Sequence, residues 1–469
     1  MKIQARKGNK IMNKEEVKKL TYKRESIYTR FPSVKDEAFE YSKGYRDFID
    51  SAKTEREATA YAVQYASERG FEPYVKGKQY QSGDRIYYVN REKAIYLAVI
   101  GKSTLDKGCA IIVAHTDSPR LDLKQVPMFE DGGISYFRTH YYGGIKKYQW
   151  TAIPLALHGV VYTKDKGRID ISIGENDSDP VFYISDLMPH IGKEQMEKKL
   201  SEGISGEGLK IINGSIPFDD EDNPKLYILS LIYEKYGIKE ADLITAELTA
   251  VPAIKSREVG FDRSMIAAYG HDDRICAYPA LSALCELEKP DKTAIAMFAD
   301  KEEIGSEGVT GLRSSSFRDF LSDLCDMQRV CVRECCRKSI CFSADVGGAY
   351  DPCYSEAYEA ANSAYLNKGV VVTKYTGSRG KSGSSDASAE LLSRVARLLD
   401  DNEVVWQSGE YGKVDQGGAG TVATEIAMLN IDVIDVGVPL LSMHSPIELA
   451  AKSDIYMMYR ACKALYNEK

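Results

Sequence analysis

The stretch AIAMFADKEE, residues 294–303, decides how this chain is read. Its first six residues are apolar and have the length of a buried strand. Two adjacent carboxylates, Glu302 and Glu303, follow at the carboxyl end. Neighbouring carboxylates beside a buried strand repel each other, and they cost free energy unless cations or protons compensate. The plainer alternative is a solvated pair next to Lys301. A metal site needs one carboxylate as ligand and one as general base, and the two residues alone leave open which does which.

The same pattern recurs along the chain. AIIVA (110–114) runs into His115-Thr116-Asp117, ICFSA (340–344) into Asp345, and IDVIDVGV (431–438) reaches His444 after a short loop. Residues i and i+2 of an extended segment point the same way, so His115 can bind a metal while Asp117 orients it by accepting its other N–H. Asp272-Asp273-Arg274 precedes a helix-like stretch and offers a carboxylate able to bridge two metals. A helix N-cap is the simpler role for that turn, with His271 and Asp273 as bystanders. Taken singly, each residue has an ordinary explanation: a polar turn for His115, a turn aspartate beside glycines for Asp345, a structural histidine for His444. Five such residues on successive strand ends form the ligand inventory of a two-metal hydrolase, and the carboxyl edge of an open α/β sheet is where ligands bind.

At 469 residues, with 43% hydrophobic content, the chain has the size of two domains of a globular protein. Its net charge of −7 and the absence of a basic stripe speak against a nucleic-acid partner. The Lys- and Arg-rich residues 1–24 are expected to be a solvated, partly helical face; they lack the apolar core of a secretory signal, and no apolar run reaches transmembrane length. Six of the ten cysteines fall between Cys325 and Cys353 without a C-x-x-C pair, which predicts reduced, partly buried thiols and a cytoplasmic location.

Aromatic and apolar spacing predicts helix over residues 34–70, strands at 85–89 and 94–100, and packed helices at 275–287 and 389–399. Between residues 136 and 250 the pattern turns to short β-like runs (154–162, 169–173, 181–184, 244–251), with a helical stretch expected at 192–209. None of the candidate strand ends lies there, so this segment is expected to be an insertion between two halves of a catalytic domain. Residues 377–385 (GSRGKSGSS) are expected to form a flexible polar loop.

The strings AHTDSPRLDLK (114–124), YGHDDR (269–274), ADKEEIGSEG (299–308), SADV (343–346) and VPLLSMHSPIE (438–448) resemble the aspartyl aminopeptidase family of co-catalytic zinc exopeptidases, in its bacterial form. Tyr142-Gly143-Gly144 resembles a further family motif. The resemblance implies an α/β fold: a mixed-sheet zinc-peptidase domain sandwiched by helices (1–128 and 251–469), with an inserted β-rich dimerisation domain (129–250), twelve copies being built from dimers. It implies two Zn²⁺ per subunit, with Mn²⁺ or Co²⁺ as alternatives. The ligands would be His115, Asp272 (bridging), Glu303, Asp345 and His444, with Glu302 as general base and Asp117 behind His115. Lys374 is matched to the residue that selects acidic substrates, although the Q-R-Y-A pattern that follows in acid-selective members is replaced here by a stretch containing Arg379 and Lys381. His190, or its rival His158, is matched to a histidine lent to a neighbouring subunit's substrate. The implied substrates are peptides, with no nucleic-acid or membrane partner. Neutral N-terminal residues, a zinc deacylase of N-acyl amino acids and a non-enzymatic shell protein are the alternatives; the full ligand set speaks against the last.

Overall fold

The apolar runs pair into one nine-stranded mixed sheet in the computed structural model, which describes residues 12–469. The first eleven residues of the basic segment lie outside the described residues. In chain order the strands are β1 (Glu72–Pro73), β2 (Arg85–Asn90), β3 (Ala94–Val99), β4 (Cys109–His115), β5 (Thr293–Ala299), β6 (Ile340–Ser343), β7 (Val370–Thr373), β8 (Trp406–Ser408) and β9 (Asp432–Gly437). Across the sheet they run β1-β2-β3-β5-β4-β6-β9-β7-β8. The four central strands β5, β4, β6 and β9 are mutually parallel, with Ala299 opposite His115 and Ser343 opposite Val113. Their carboxyl ends therefore meet on one edge.

Alternation sorts the strand residues into two cores. Ile95, Leu97, Ile112 and Ala114 face helices α1 (Val34–Ser51), α2 (Glu55–Ser67), α3 (His271–Cys285), α6 (Ala389–Asp401) and α7 (Lys452–Tyr466). Tyr96, Ala98, Ile111 and Val113 face α4 (Ser316–Met327) and α5 (Val332–Lys338) on the other side. This is the helix-sandwiched α/β architecture expected from the sequence. The single helix expected over 34–70 is two. Thr54 accepts the Glu57 N–H while Glu57 reaches back to the Thr54 N–H, and this capping box starts a new helix after a break at Ala52 and Lys53.

Residues 120–252 carry a second, seven-stranded sheet. The strand Glu247–Pro252 pairs antiparallel with both Arg120–Asp131 and Pro154–Thr163, so that six strands close on themselves around Trp150, Leu155, Phe137 and Val251. Its first strand begins at Arg120, so residue 129 falls inside a strand. The expected helix at 192–209 reduces to two single turns, Lys193–Met196 and Leu200–Gly203. The longer helix there, Pro224–Tyr236, has Pro224 in its first turn and Gly237 in the left-handed conformation at its end. Residues 377–385 include a short strand, Gly377–Ser378, paired with Gly418–Ala419. No helix among the described residues is long and apolar enough to cross a membrane.

Candidate metal centre

Because β5, β4 and β6 are adjacent and parallel, the residues that follow them converge. His115 ends β4, Glu302 and Glu303 form a helical turn after β5, and Asp345 follows β6. Asp272 comes from the irregular start of α3, and His444 from the turn beyond β9. Asp272 and Asp273 have non-helical backbone angles at the start of α3, and Asp272 Oδ1 and both Asp273 oxygens receive no hydrogen bond, so the N-cap role is not what this turn does. His115 Nε2 lies 3.1 Å from Asp272 Oδ1, 3.8 Å from Glu302 Oε2 and 4.0 Å from Asp345 Oδ1. His444 Nε2 lies 3.1 Å from Asp272 Oδ2 and 3.5 Å from Glu303 Oε2. Three donor sets result, His115/Asp272/Asp345, Asp272/Glu303/His444 and His115/Glu302/Glu303, and Asp272 belongs to the first two with one oxygen toward each histidine.

Hydrogen bonds fix both imidazoles. His115 Nδ1 faces the Asp117 carbonyl oxygen at 3.0 Å, and His444 Nδ1 faces the Gly144 carbonyl oxygen at 3.0 Å. A carbonyl only accepts, so each Nδ1 carries the proton and each Nε2 of a neutral ring turns a lone pair toward carboxylate oxygens. Lone pairs facing lone pairs require protons or cations between them. The buried Glu303 Oε1 likewise has no hydrogen-bond donor. Mixed nitrogen and oxygen donors in two trios around a shared carboxylate fit a pair of zinc-type cations.

The electrostatics state the same need. Burial pushes Glu303 and Asp345 well above the ordinary carboxylate range, with Asp272 adding to each rise. Burial also lifts Glu302 to about 7, opposed by His115 and reinforced by Asp117 and Asp272. His444 is driven up to about 10: burial would lower it, but Asp272 and Glu303 outweigh that. A site that demands this many protons is one that cations can satisfy instead.

Residues 48–466 match the aminopeptidase I zinc metalloprotease (M18) family. The chain belongs to that family. This M18 metalloaminopeptidase is 46% identical over 442 residues to the probable M18 family aminopeptidase 1 of Clostridium acetobutylicum, covering 92% of this chain and 95% of that one. Its fold superposes on the crystal structure of the M18 aminopeptidase of Thermotoga maritima with a TM-score of 0.92 and 41% identity, covering 96% of this chain and all of the other. The S. cerevisiae mApe1 dodecamer shares the fold at 20% identity, with a TM-score of 0.75, 92% of this chain and 97% of that one being covered.

Other expected residues of the aminopeptidase make no hydrogen bond or ion pair with the donor cluster. Lys374 is tied to Asp386 at 2.8 Å, with Lys381 on the other oxygen at 3.3 Å and 3.7 Å above the Tyr375 ring. His190 is exposed, on a segment where Leu187, Met188 and Ile191 are exposed as well. His158 is buried between Glu57 and Glu175, both ring nitrogens engaged, which makes it a structural ion and removes it as a residue to lend. His271 is buried and neutral, accepting from Tyr45 and donating to the Ile266 carbonyl.

The motif strings left Glu448 without a role. It is buried, and its carboxylate accepts the backbone N–H of His444 at 2.8 Å and of Asp272 at 3.1 Å. Its spacing of four from His444 was the only signal. Asp117 does more than orient His115: its two oxygens also accept the backbone N–H groups of Glu302 and Glu303 at 3.1 and 3.2 Å.

Proposed function

We propose that this aminopeptidase binds two zinc ions, one in each of the two donor sets that share Asp272, and that it releases N-terminal residues from peptides with Glu302 as its general base. The observation that carries the reading is the pair of histidine Nε2 atoms aimed at opposite oxygens of one buried carboxylate. Zinc supplies a Lewis acid that polarises the scissile carbonyl and lowers the pKa of the attacking water. Manganese or cobalt would serve in its place.

Glu302 supports the base role on two counts. Its side chain is 20% exposed against 3% for Glu303, so it faces the opening while Glu303 faces the cluster. Its Oε2 also stands 3.8 Å from His115 Nε2, beside the donor cluster, where it can take a proton from an attacking water and give it to the leaving amine. Asp117 holds the backbone of both glutamates with its carboxylate and the ring of His115 with its carbonyl oxygen, the carboxylate standing 3.3 Å from the same nitrogen, so base and ligands share one anchor. Carboxylates at the rim can hold the free α-amine of a peptide, which fits exopeptidase action.

Selection of acidic N-terminal residues by Lys374, a homododecamer built from dimers, and His190 acting on a neighbour's substrate complete the proposal, as does a cytoplasmic setting. The apolar side chains exposed around His190 and the ten free cysteines support the last three. The segment expected at residues 129–250, which the second sheet extends to 120–252, would be the dimerisation domain, and the parts expected at 1–128 and 251–469, trimmed to match, the catalytic domain.

The test is hydrolysis of peptides carrying Asp, Glu, Leu, Met or Lys at the N-terminus, each with a free or an acetylated amine. The expected result is release from free amines only, lost on chelation and restored by zinc, with Asp and Glu fastest. Equal cleavage of acetylated peptides would refute the exopeptidase role, and fastest release of Leu or Met would refute acid selection.

A further inference from the structure

Resting on the zinc-centre reading above, we propose that the Tyr142-Gly143-Gly144 turn of the second sheet is a positioning element of the metal centre. It touches three residues of the centre at once. The Tyr142 hydroxyl donates to Asp117 Oδ2 at 2.8 Å. The Gly144 carbonyl accepts the Nδ1–H of His444 at 3.0 Å, which leaves Nε2 to face Asp272 and Glu303. Gly143 lies against Glu303: a β-carbon there would stand 3.2 Å from Glu303 Oε2 and 3.3 Å from its Cβ, at a φ of +75° that favours glycine.

The turn is itself held from behind. Arg120, paired with Tyr142 across the strands, places its guanidinium 4.1 Å over the Tyr142 ring. That guanidinium is fixed by Glu55 at 2.7 Å and Asp122 at 2.8 Å. Tyr142 is buried, so its hydroxyl is not free to exchange Asp117 for water. The second sheet thus reaches into the site, and fixes both the tautomer of His444, 300 residues further along the chain, and Asp117, the outer partner of His115. Such outer partners commonly tune metal affinity by about 10–100-fold.

A turn that only closed the sheet would affect stability and leave metal affinity alone. The test is the zinc dissociation constant of the full-length chain, measured by competition with a chromogenic chelator after metal removal. Tyr142→Phe, which removes one hydroxyl, is expected to weaken zinc binding at least about tenfold with an unchanged far-UV spectrum. Gly143→Ala, which presses on Glu303, is expected to weaken it as well. Tyr141→Phe, on the exposed side of the same strand, is expected to bind as the wild type does. Wild-type zinc affinity in Tyr142→Phe, with or without lowered stability, overturns the inference. Failure of the wild-type chain itself to take up zinc overturns the parent reading and this one together.

Discussion

His158 makes a quantitative prediction about how the second sheet is fastened to the catalytic helices. Its Nδ1 meets Glu57 Oε1 of α2 at 2.7 Å and its Nε2 meets Glu175 Oε1 at 2.9 Å. Lys53 joins the same Glu175 oxygen at 2.8 Å. With an acceptor on each nitrogen the ring carries both protons and a positive charge. Burial alone would lower its pKa, but the bonds to Glu175 and Glu57 raise it to about 9 from an ordinary 6.5. Because the folded value exceeds the unfolded one, the stabilisation is complete below pH 6.5 and is lost as pH rises through about 9. At about 1.4 kcal/mol per pH unit the whole effect is about 3 kcal/mol, and the side chain is buried enough that solvent screening takes little from it.

His158→Gln keeps polar contacts but no charge. At fixed protein concentration its urea midpoint, followed by circular dichroism, should fall well below that of the wild type at about pH 6. The gap should close by about pH 10. Other groups titrate in that window in both proteins, so only the difference between them counts. A gap that stays constant across that range, or no gap at about pH 6, would show that His158 carries no stabilising charge.

Two further outcomes follow from the exposed parts of the aminopeptidase. Asp386 neutralises Lys374 and Lys381 through half-exposed ion pairs, which are worth about 0.2–1 kcal/mol. Asp386→Ala should therefore raise the ratio of kcat/KM for acidic over neutral N-terminal residues by about 1.4- to fivefold. An unchanged ratio would remove Lys374 from the substrate pocket. Size-exclusion light scattering should give the mass of twelve chains, and a stable monomer would contradict both the assembly and the lent His190.

Much of the site was legible because a parallel sheet turns sequence order into spatial convergence. Apolar runs ending in His115, Glu302-Glu303 and Asp345 become neighbouring strands, and their ends then meet without further information. Contacts between distant segments were not legible. Nothing near His444 announces that its Nδ1 proton goes to Gly144, nor does anything near Asp117 announce the amides of Glu302 and Glu303. The Pro224–Tyr236 helix escaped because its apolar residues show no one-sided pattern, although Asn223-Pro224 and Gly237 punctuate both ends. The break at Thr54 escaped because helical spacing continues through it, and only the Thr54–Glu57 pair marks a new start.

The most direct test of the zinc-centre account is the zinc content and turnover of Glu302→Gln beside the wild type. The account predicts two zinc ions per chain in both proteins, and turnover in the variant reduced by about 10²–10⁴-fold, because the base is lost while the donors remain. Near-wild-type turnover, or loss of zinc along with the carboxylate, would contradict it by making Glu302 dispensable in the first case and a ligand in the second.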